Sequence, residues 1–186
     1  MKRRLACIRV LSVILTILVV SGIFSGDAEA KTAHEIDASV DEAINRFCNQ
    51  VDGARACMAQ AKAVLVMPNV TSAGYAAGGE YGEGALRAGT TARYYKMTAG
   101  SEKPTFGVEK VDIIILFMTQ HALEGFNKAR DWEVGEHASV VLMYIGDGRR
   151  LDTTILRDPV VGFVFDTKGL ILHASLRGAR FTEIKK

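Results

Sequence analysis

The stretch from Gly74 to Gly89 is the part of this chain that most invites a chemical reading, because glycine-rich loops can cradle phosphates. A phosphate loop must end in Gly-Lys-Ser/Thr, so that the lysine meets phosphate and the hydroxyl meets magnesium. Here Gly84 is followed by Ala85 and Leu86. The dinucleotide fingerprint fails as well, since Gly82-Glu83-Gly84 leads into Leu86 and Arg87 where a third glycine is required. Glycines inside β-rich sequence otherwise mark bends, bulges or close backbone approach, and a strongly bent strand is expected. Glu80 and Glu83 would need a cleft and separated pKa values to work as an acid–base pair; the expectation is two solvent-facing carboxylates at strand ends. His34, His121, His137 and His173 lack metal-ligand spacing. Ser139 and Ser175 lack the strand–turn–helix setting of a nucleophile elbow. No catalytic constellation remains, no cofactor is implied, and the expected protein is not an enzyme.

Two sets of residues keep a role. Arg87, Arg93 and Lys96 form a candidate basic cluster on or beside bent β segments, the alternative for each being a solvated strand face. Cys48 and Cys57 are the two cysteines that remain after export. In an oxidising compartment they form the one possible bridge, closing a short loop worth roughly 2–3 kcal/mol in the chain-entropy model. The alternative is a buried pair of free thiols.

Export is read from the first thirty residues. Lys2, Arg3 and Arg4 precede an apolar run from Val10 to Phe24, which ends in Ala28-Glu29-Ala30. Basic flank, short apolar core and small residues at the cleavage positions make a secretory signal. Residues 1–30 are therefore expected to be removed, leaving 31–186 as one domain with Lys31 first. The 23 basic and 21 acidic residues of the chain lose Lys2, Arg3, Arg4, Arg9, Asp27 and Glu29 with the signal, and the remainder has a formal charge of zero. A nucleic-acid binder would carry a large basic excess, so that class is set aside, along with nucleotide binding.

The elements that position these residues follow from hydrophobic periodicity. Ala33, Ile36, Val40, Ile44 and Phe47 recur at three- and four-residue steps, predicting a helix from about Thr32 to Gln50 with a buried stripe. Membrane-surface helices carry Lys and Arg on the polar face; this one carries Glu35, Asp37, Asp41 and Glu42, so its stripe is expected in the core. A second helix over Ala54 to Ala63 precedes a short strand, Val64 to Met67, closed by Pro68. Further strands are expected over Thr91–Met97, Val111–Met118, Ser139–Ile145, Val160–Phe165 and Leu170–Leu176, with one helix from Thr119 to Lys128 between them. Gly146-Asp147-Gly148 and Asp166-Thr167-Lys168-Gly169 read as hairpin connections. Ile113 to Met118 and Val140 to Ile145 are apolar on both faces, so they must be covered twice or line an apolar cavity. The fold class is α+β: N-terminal helices packed on a strongly bent, mostly antiparallel sheet or partial barrel, with one further helix inserted between strands.

Several segments, in order, resemble the SYLF family: Ala61-Lys62-Ala63-Val64-Leu65-Val66-Met67-Pro68, Gly78-Gly79-Glu80-Tyr81-Gly82-Glu83-Gly84-Ala85-Leu86, Leu116-Phe117-Met118-Thr119, Trp132-Glu133-Val134-Gly135, and Gly162 through Leu170. The resemblance spans about Ala54 to Ile184 and implies lipid binding, for which Arg87, Arg93 and Lys96 are the candidates to contact a head group. Eukaryotic members attach to phosphoinositide membranes and, through added modules, to actin regulators; bacterial members stand alone behind an export signal. The expected function is a non-enzymatic phospholipid- or membrane-binding protein of the bacterial cell envelope, in the periplasm or on the outer membrane. The alternative is a structural or protein-interaction module there, with an unknown partner.

Overall fold

The computed structural model describes residues 31–73, 78–101, 108–145, 156–168 and 176–186. Residues 31–186 form one compact unit. Helix α1 (Ala33–Gln50) starts where Thr32 closes a capping box with Glu35: the Glu35 N–H donates to Thr32 Oγ1 at 3.3 Å, and the Thr32 N–H donates to Glu35 Oε2 at 2.7 Å. That reciprocal pairing satisfies donors the helix start leaves free, and the Thr32 hydrogen bonds hold the Glu35 carboxyl below its ordinary pKa. A short helix α2 (Ala54–Gln60) follows Gly53, which has the left-handed conformation.

The chain then builds strands β1 (Ala63–Ala73), β2 (Gly78–Ala88), β3 (Thr91–Ser101) and β4 (Val108–Phe117), helix α3 (Gln120–Lys128), and strands β5 (Asp131–Glu133), β6 (Val141–Tyr144), β7 (Val160–Lys168) and β8 (Arg180–Ile184). All eight strands belong to one sheet, ordered β5-β8-β3-β2-β1-β4-β7-β6. Every pairing is antiparallel except β6 with β7, which is parallel. This is the expected α+β class, with the sheet curled into a half-barrel. Only part of the expected strand Leu170–Leu176 can be compared, because 169–175 lie outside the described residues; so do Gly146-Asp147-Gly148 and Gly169 of the expected hairpins.

Two observations show the curl. In a flat sheet β5 and β4 would lie about 24 Å apart, at the usual strand spacing. The Trp132 ring of β5 instead reaches within 6.1 Å of the Phe117 ring of β4. The sheet's two edge strands, β5 and β6, are also consecutive in the chain, joined by residues 134–140 alone. So short a connection spans at most about 25 Å even when fully extended, which only a rolled sheet allows.

The bend has a local origin in β1. Its register shifts against β2 between Val66 and Thr71, and against β4 between Met67 and Val70. Pro68 and Asn69 occupy this bulge, with Asn69 at φ 52°. Proline therefore does not close the strand, as expected from sequence; it sits where the ladder is already interrupted and its missing N–H costs least. Opposite the bulge, glycine is obligatory in β2. A Cβ on Gly84 would lie 1.9 Å from the Val66 carbonyl oxygen.

The strands that read as apolar on both faces serve two cores. Leu65, Met67, Ile113, Ile115, Phe117 and Val164 point inside the half-barrel, together with Phe126, Trp132 and Phe181. Val66, Ile114, Leu116, Val161, Phe163 and Phe165 point outward beneath α1 and α2. Ile36, Val40, Ala43 and Phe47 of α1 are buried there, so the stripe is core, as the acidic polar face predicted.

Candidate functional site

The three basic candidates do not converge. Arg87 and Lys96 lie on the helix-covered face, whereas the odd-even alternation of β3 puts Arg93 on the opposite one. Arg87 Nη2 lies 2.9 Å from Asp37 Oδ1 and 3.3 Å from Asp41 Oδ1, and Tyr94 donates its hydroxyl to Asp37 Oδ2 at 2.9 Å. That bond holds the Tyr94 hydroxyl above its ordinary pKa. Arg93 pairs with Glu183 at 3.7 Å, donates to Asn127, and stands 5.7 Å over the Tyr95 ring. Lys96 sits opposite Glu83 in the β2–β3 register. Sequence reasoning missed that the acidic residues of α1 are the partners of Arg87. The three-to-four-residue spacing of Asp37 and Asp41 was the available signal.

Glu80 and Glu83 are not solvent-facing strand ends. Three residues apart on one strand, they point to opposite faces. Glu83 is 8% exposed and accepts from Tyr81 Oη at 2.8 Å and from Lys186 Nζ at 3.1 Å; Lys186 also donates to the Lys31 carbonyl at 2.6 Å. Burial and the bond to Glu83 push Tyr81 up to about 12. Glu80 faces inward in the row it shares with Ser72 and Glu109. Burial raises its pKa, and the Glu109 charge adds to that against the opposing Ser72 hydrogen bond.

A buried ion pair at the β1 bulge was equally invisible in the sequence. Asp112, 2% exposed, accepts from Arg46 Nη2 at 2.6 Å and Nε at 3.1 Å. Its other oxygen accepts the N–H of left-handed Asn69 at 2.8 Å. Arg46 also meets Asp166 at 3.1 Å and Glu42 at 3.2 Å. This cluster fastens α1 to the bulged strands.

The disulfide expected between Cys48 and Cys57 is absent; both are free thiols. Helix α1 continues past Cys48 and α2 begins only at Ala54, so each cysteine is placed by its own helix, against the outward core. Burial pushes the Cys57 thiol up to about 11, which makes it a poor nucleophile. Among the described residues no cluster of three or more His, Cys, Asp or Glu is arranged to hold a metal ion. Nor, among them, is any helix long and apolar enough to cross a membrane.

The arrangement that can take a ligand lies in the seam between the sheet's two edges. There an open cavity of about 390 Å³ has an apolar floor, made by Val134, Val140, Leu142 and Leu176. Gly135, Ser139 and Arg177 form its rim and are exposed. Two tight turns build the walls. In one, the Gly135 N–H donates to the Ala138 carbonyl at 2.9 Å, with Gly135 at φ 95°. In the other, the Ala179 N–H donates to the Leu176 carbonyl at 2.9 Å, with Gly178 at φ 75°. The turns are zipped together by Val134 N–H to the Ala179 carbonyl and Gly178 N–H to the Val134 carbonyl, both 3.0 Å. Left-handed glycines make such turns without steric cost. Gly162 of β7 lets the floor close down: a Cβ there would lie 2.9 Å from Val140 Cγ1 and 3.0 Å from Leu142 Cδ1.

Residues 98–186 match the Ysc84 family, described as Las17-binding protein actin regulator. The match is consistent with the resemblance to the SYLF family carried by the sequence. The match holds the described lining of the seam cavity and three of the five segments that carry the sequence resemblance. Two of these, Trp132 to Gly135 and Gly162 to Leu170, supply a wall and the floor contact of the cavity. At the level of the family, a SYLF domain is a lipid-binding or actin-regulatory module. No curated protein matches the chain.

Proposed function

We propose that this SYLF protein is a non-enzymatic lipid-binding module of the bacterial cell envelope, exported by a signal peptide cleaved after Ala30. The observation that carries the lipid reading is the seam cavity, with hydrocarbon at its floor and polar groups at its rim. Its volume of about 390 Å³ falls in the range of roughly 300–1,000 Å³ typical of small-molecule sites. The family match, which contains the described residues lining it, supports the same reading. Export is supported by the basic flank, apolar run and Ala28-Glu29-Ala30 pattern, and the compact unit begins at Lys31. The test is twofold. Lipid extracted from the protein purified from the envelope, with flotation on phosphatidylglycerol vesicles, should show bound lipid; a lipid-free protein that ignores vesicles overturns the binding reading. N-terminal sequencing should begin at Lys31, and a chain retaining Met1 in the membrane overturns the export reading.

The family description names a protein partner, which favours a second reading, a protein-interaction module. A protein that captures no lipid but forms a stoichiometric complex with an envelope protein would decide for it.

A further inference from the structure

We propose that folding closes the processing site: the bond after Ala30 is cut while the domain is unfolded, because the folded domain fastens the two residues that follow it. The inference rests on the export reading and adds an order of events to it, cleavage first and folding second. Whether a peptide bond is open to a peptidase depends on the hydrogen bonding of the backbone beside it. Here the Lys31 carbonyl accepts from Lys186 Nζ at 2.6 Å. The Thr32 N–H donates to Glu35 Oε2 at 2.7 Å, and the Thr32 carbonyl accepts from the Ile36 N–H at 3.1 Å. Helix α1 begins at the next residue, Ala33. The backbone groups that an extended substrate would present just after the cut are already bonded. Lys186 is itself held in place. Its ammonium meets Glu83 Oε2 at 3.1 Å, and both side chains are 9% exposed; Tyr81 donates to the other Glu83 oxygen at 2.8 Å. Glu83 lies within β2, which β3 and β1 flank on either side. A residue 155 positions along the chain thus ties the start of the domain to the interior of its sheet. Opening the start means giving up the cap, worth about fivefold in population, and a charge-assisted hydrogen bond, worth about tenfold. Cleavage that waits on such an opening slows in proportion. In an unfolded chain the tie to Lys186 and Glu83 is absent, and the bond is open.

The test uses the full-length precursor, unfolded in urea and diluted into detergent micelles with a bacterial signal peptidase. With peptidase present at dilution, the precursor should be cut to Lys31. With peptidase added only after the fluorescence of buried Trp132 has recovered, cutting should be at least about fiftyfold slower, the product of the two factors above. Lys186→Met, remote in sequence from the cut, should speed cutting of the folded precursor about tenfold and leave the rate at dilution unchanged. Glu83→Gln, which keeps the shape of the side chain but not its charge, should act in the same direction, and it reports alone if Lys186→Met does not fold. Leu123→Ala, in the inward core, should lower the melting temperature yet leave the folded rate within about twofold. Equal rates at dilution and after folding overturn the proposal and leave the export reading standing. Unchanged rates in the folded Lys186→Met and Glu83→Gln precursors, or a Leu123→Ala precursor cut as fast as theirs, overturn it too, because cutting would then follow unfolding of the whole domain. If the peptidase cuts neither form, the export reading falls and this inference falls with it.

Discussion

The same strands carry two cores that are finished differently. Outward, β1, β4 and β7 are sealed by α1, whose Ile36, Val40, Ala43 and Phe47 are fully buried and whose Arg46 is clasped by Asp112. Inward, Phe117, Phe126, Trp132 and Phe181 pack ring against ring, yet the lining turns half-exposed at Val140 and Leu142, where the seam cavity opens. A helix lying across strands covers a face completely. A sheet rolled toward itself must close at a seam, and any mismatch between its edges collects there. The covered face is therefore the place to look for stability, and the seam for binding.

The largest contrast should come from truncating each core. Phe47→Ala removes a ring packed 5.1 Å from both Phe163 and Phe165 and should cost about 3–5 kcal/mol. Leu142→Ala, half-exposed at the cavity, should cost only about 1–2 kcal/mol. Equal losses in denaturant titrations would break the distinction between a sealed and an open core.

Glycines sharpen it next. Gly84→Ala drives a methyl into a backbone oxygen at the bulge and should cost more than about 3 kcal/mol, at the upper end of overpacking effects. Gly162→Ala meets only side-chain tips that can swing into the cavity, and about 1–2 kcal/mol is expected. Thermal melts of the two variants compare a backbone obstacle with a side-chain one.

Electrostatic contacts rank in the same way. Asp112→Ala leaves Arg46 and the Asn69 N–H without their buried acceptor and should cost about 3 kcal/mol. Arg93→Ala, at an exposed pair, should cost under about 1 kcal/mol. Comparable losses would mean that the Asp112 cluster does not fasten α1.

A pH effect should appear inside the half-barrel. Because burial raises the Glu80 pKa in the folded state, its ionised form opposes folding above that raised value. The penalty shrinks as pH falls through it, and vanishes below the unfolded carboxylate range. Glu80→Gln should therefore raise the melting temperature modestly at neutral pH and leave it unchanged well below pH 4. A gain that persists in acid contradicts the burial argument.

The smallest effect is chemical. Native, non-reduced protein should show Cys57 resisting thiol reagents, and both thiols should react after denaturation. A denatured protein with neither thiol free would restore the disulfide.

Much of this was legible before the fold. Period and capping set α1, because Thr32-x-x-Glu35 and the Ile36–Phe47 stripe are local signals that short-range sterics and hydrogen bonds read directly. Strands apolar on both faces demanded double coverage, and Ile113 to Phe117 has it; the bend expected of the glycine-rich run lies instead in β1, at the bulge opposite Gly84, while the described part of β2 runs in unbroken register with β3. The basic trio was not so legible. Arg87, Arg93 and Lys96 are near neighbours in the chain, yet strand alternation splits them between faces, and Arg87 finds its partners on a helix some fifty residues away. Asp112 reads as one polar residue in an apolar strand; only the bulge at Asn69 and the passage of Arg46 over it explain its burial. The seam cavity belongs wholly to tertiary structure. Its walls come from the turns near Gly135 and Gly178 and its floor from β6, segments that pattern cannot join because no period links them. The sequence by itself determined which residues must be buried and where the chain must turn, since these follow from side-chain chemistry and local sterics. Where the sheet's edges meet, and hence where a ligand could sit, was decided only when the accumulated twist and the β1 bulge rolled eight strands into a half-barrel.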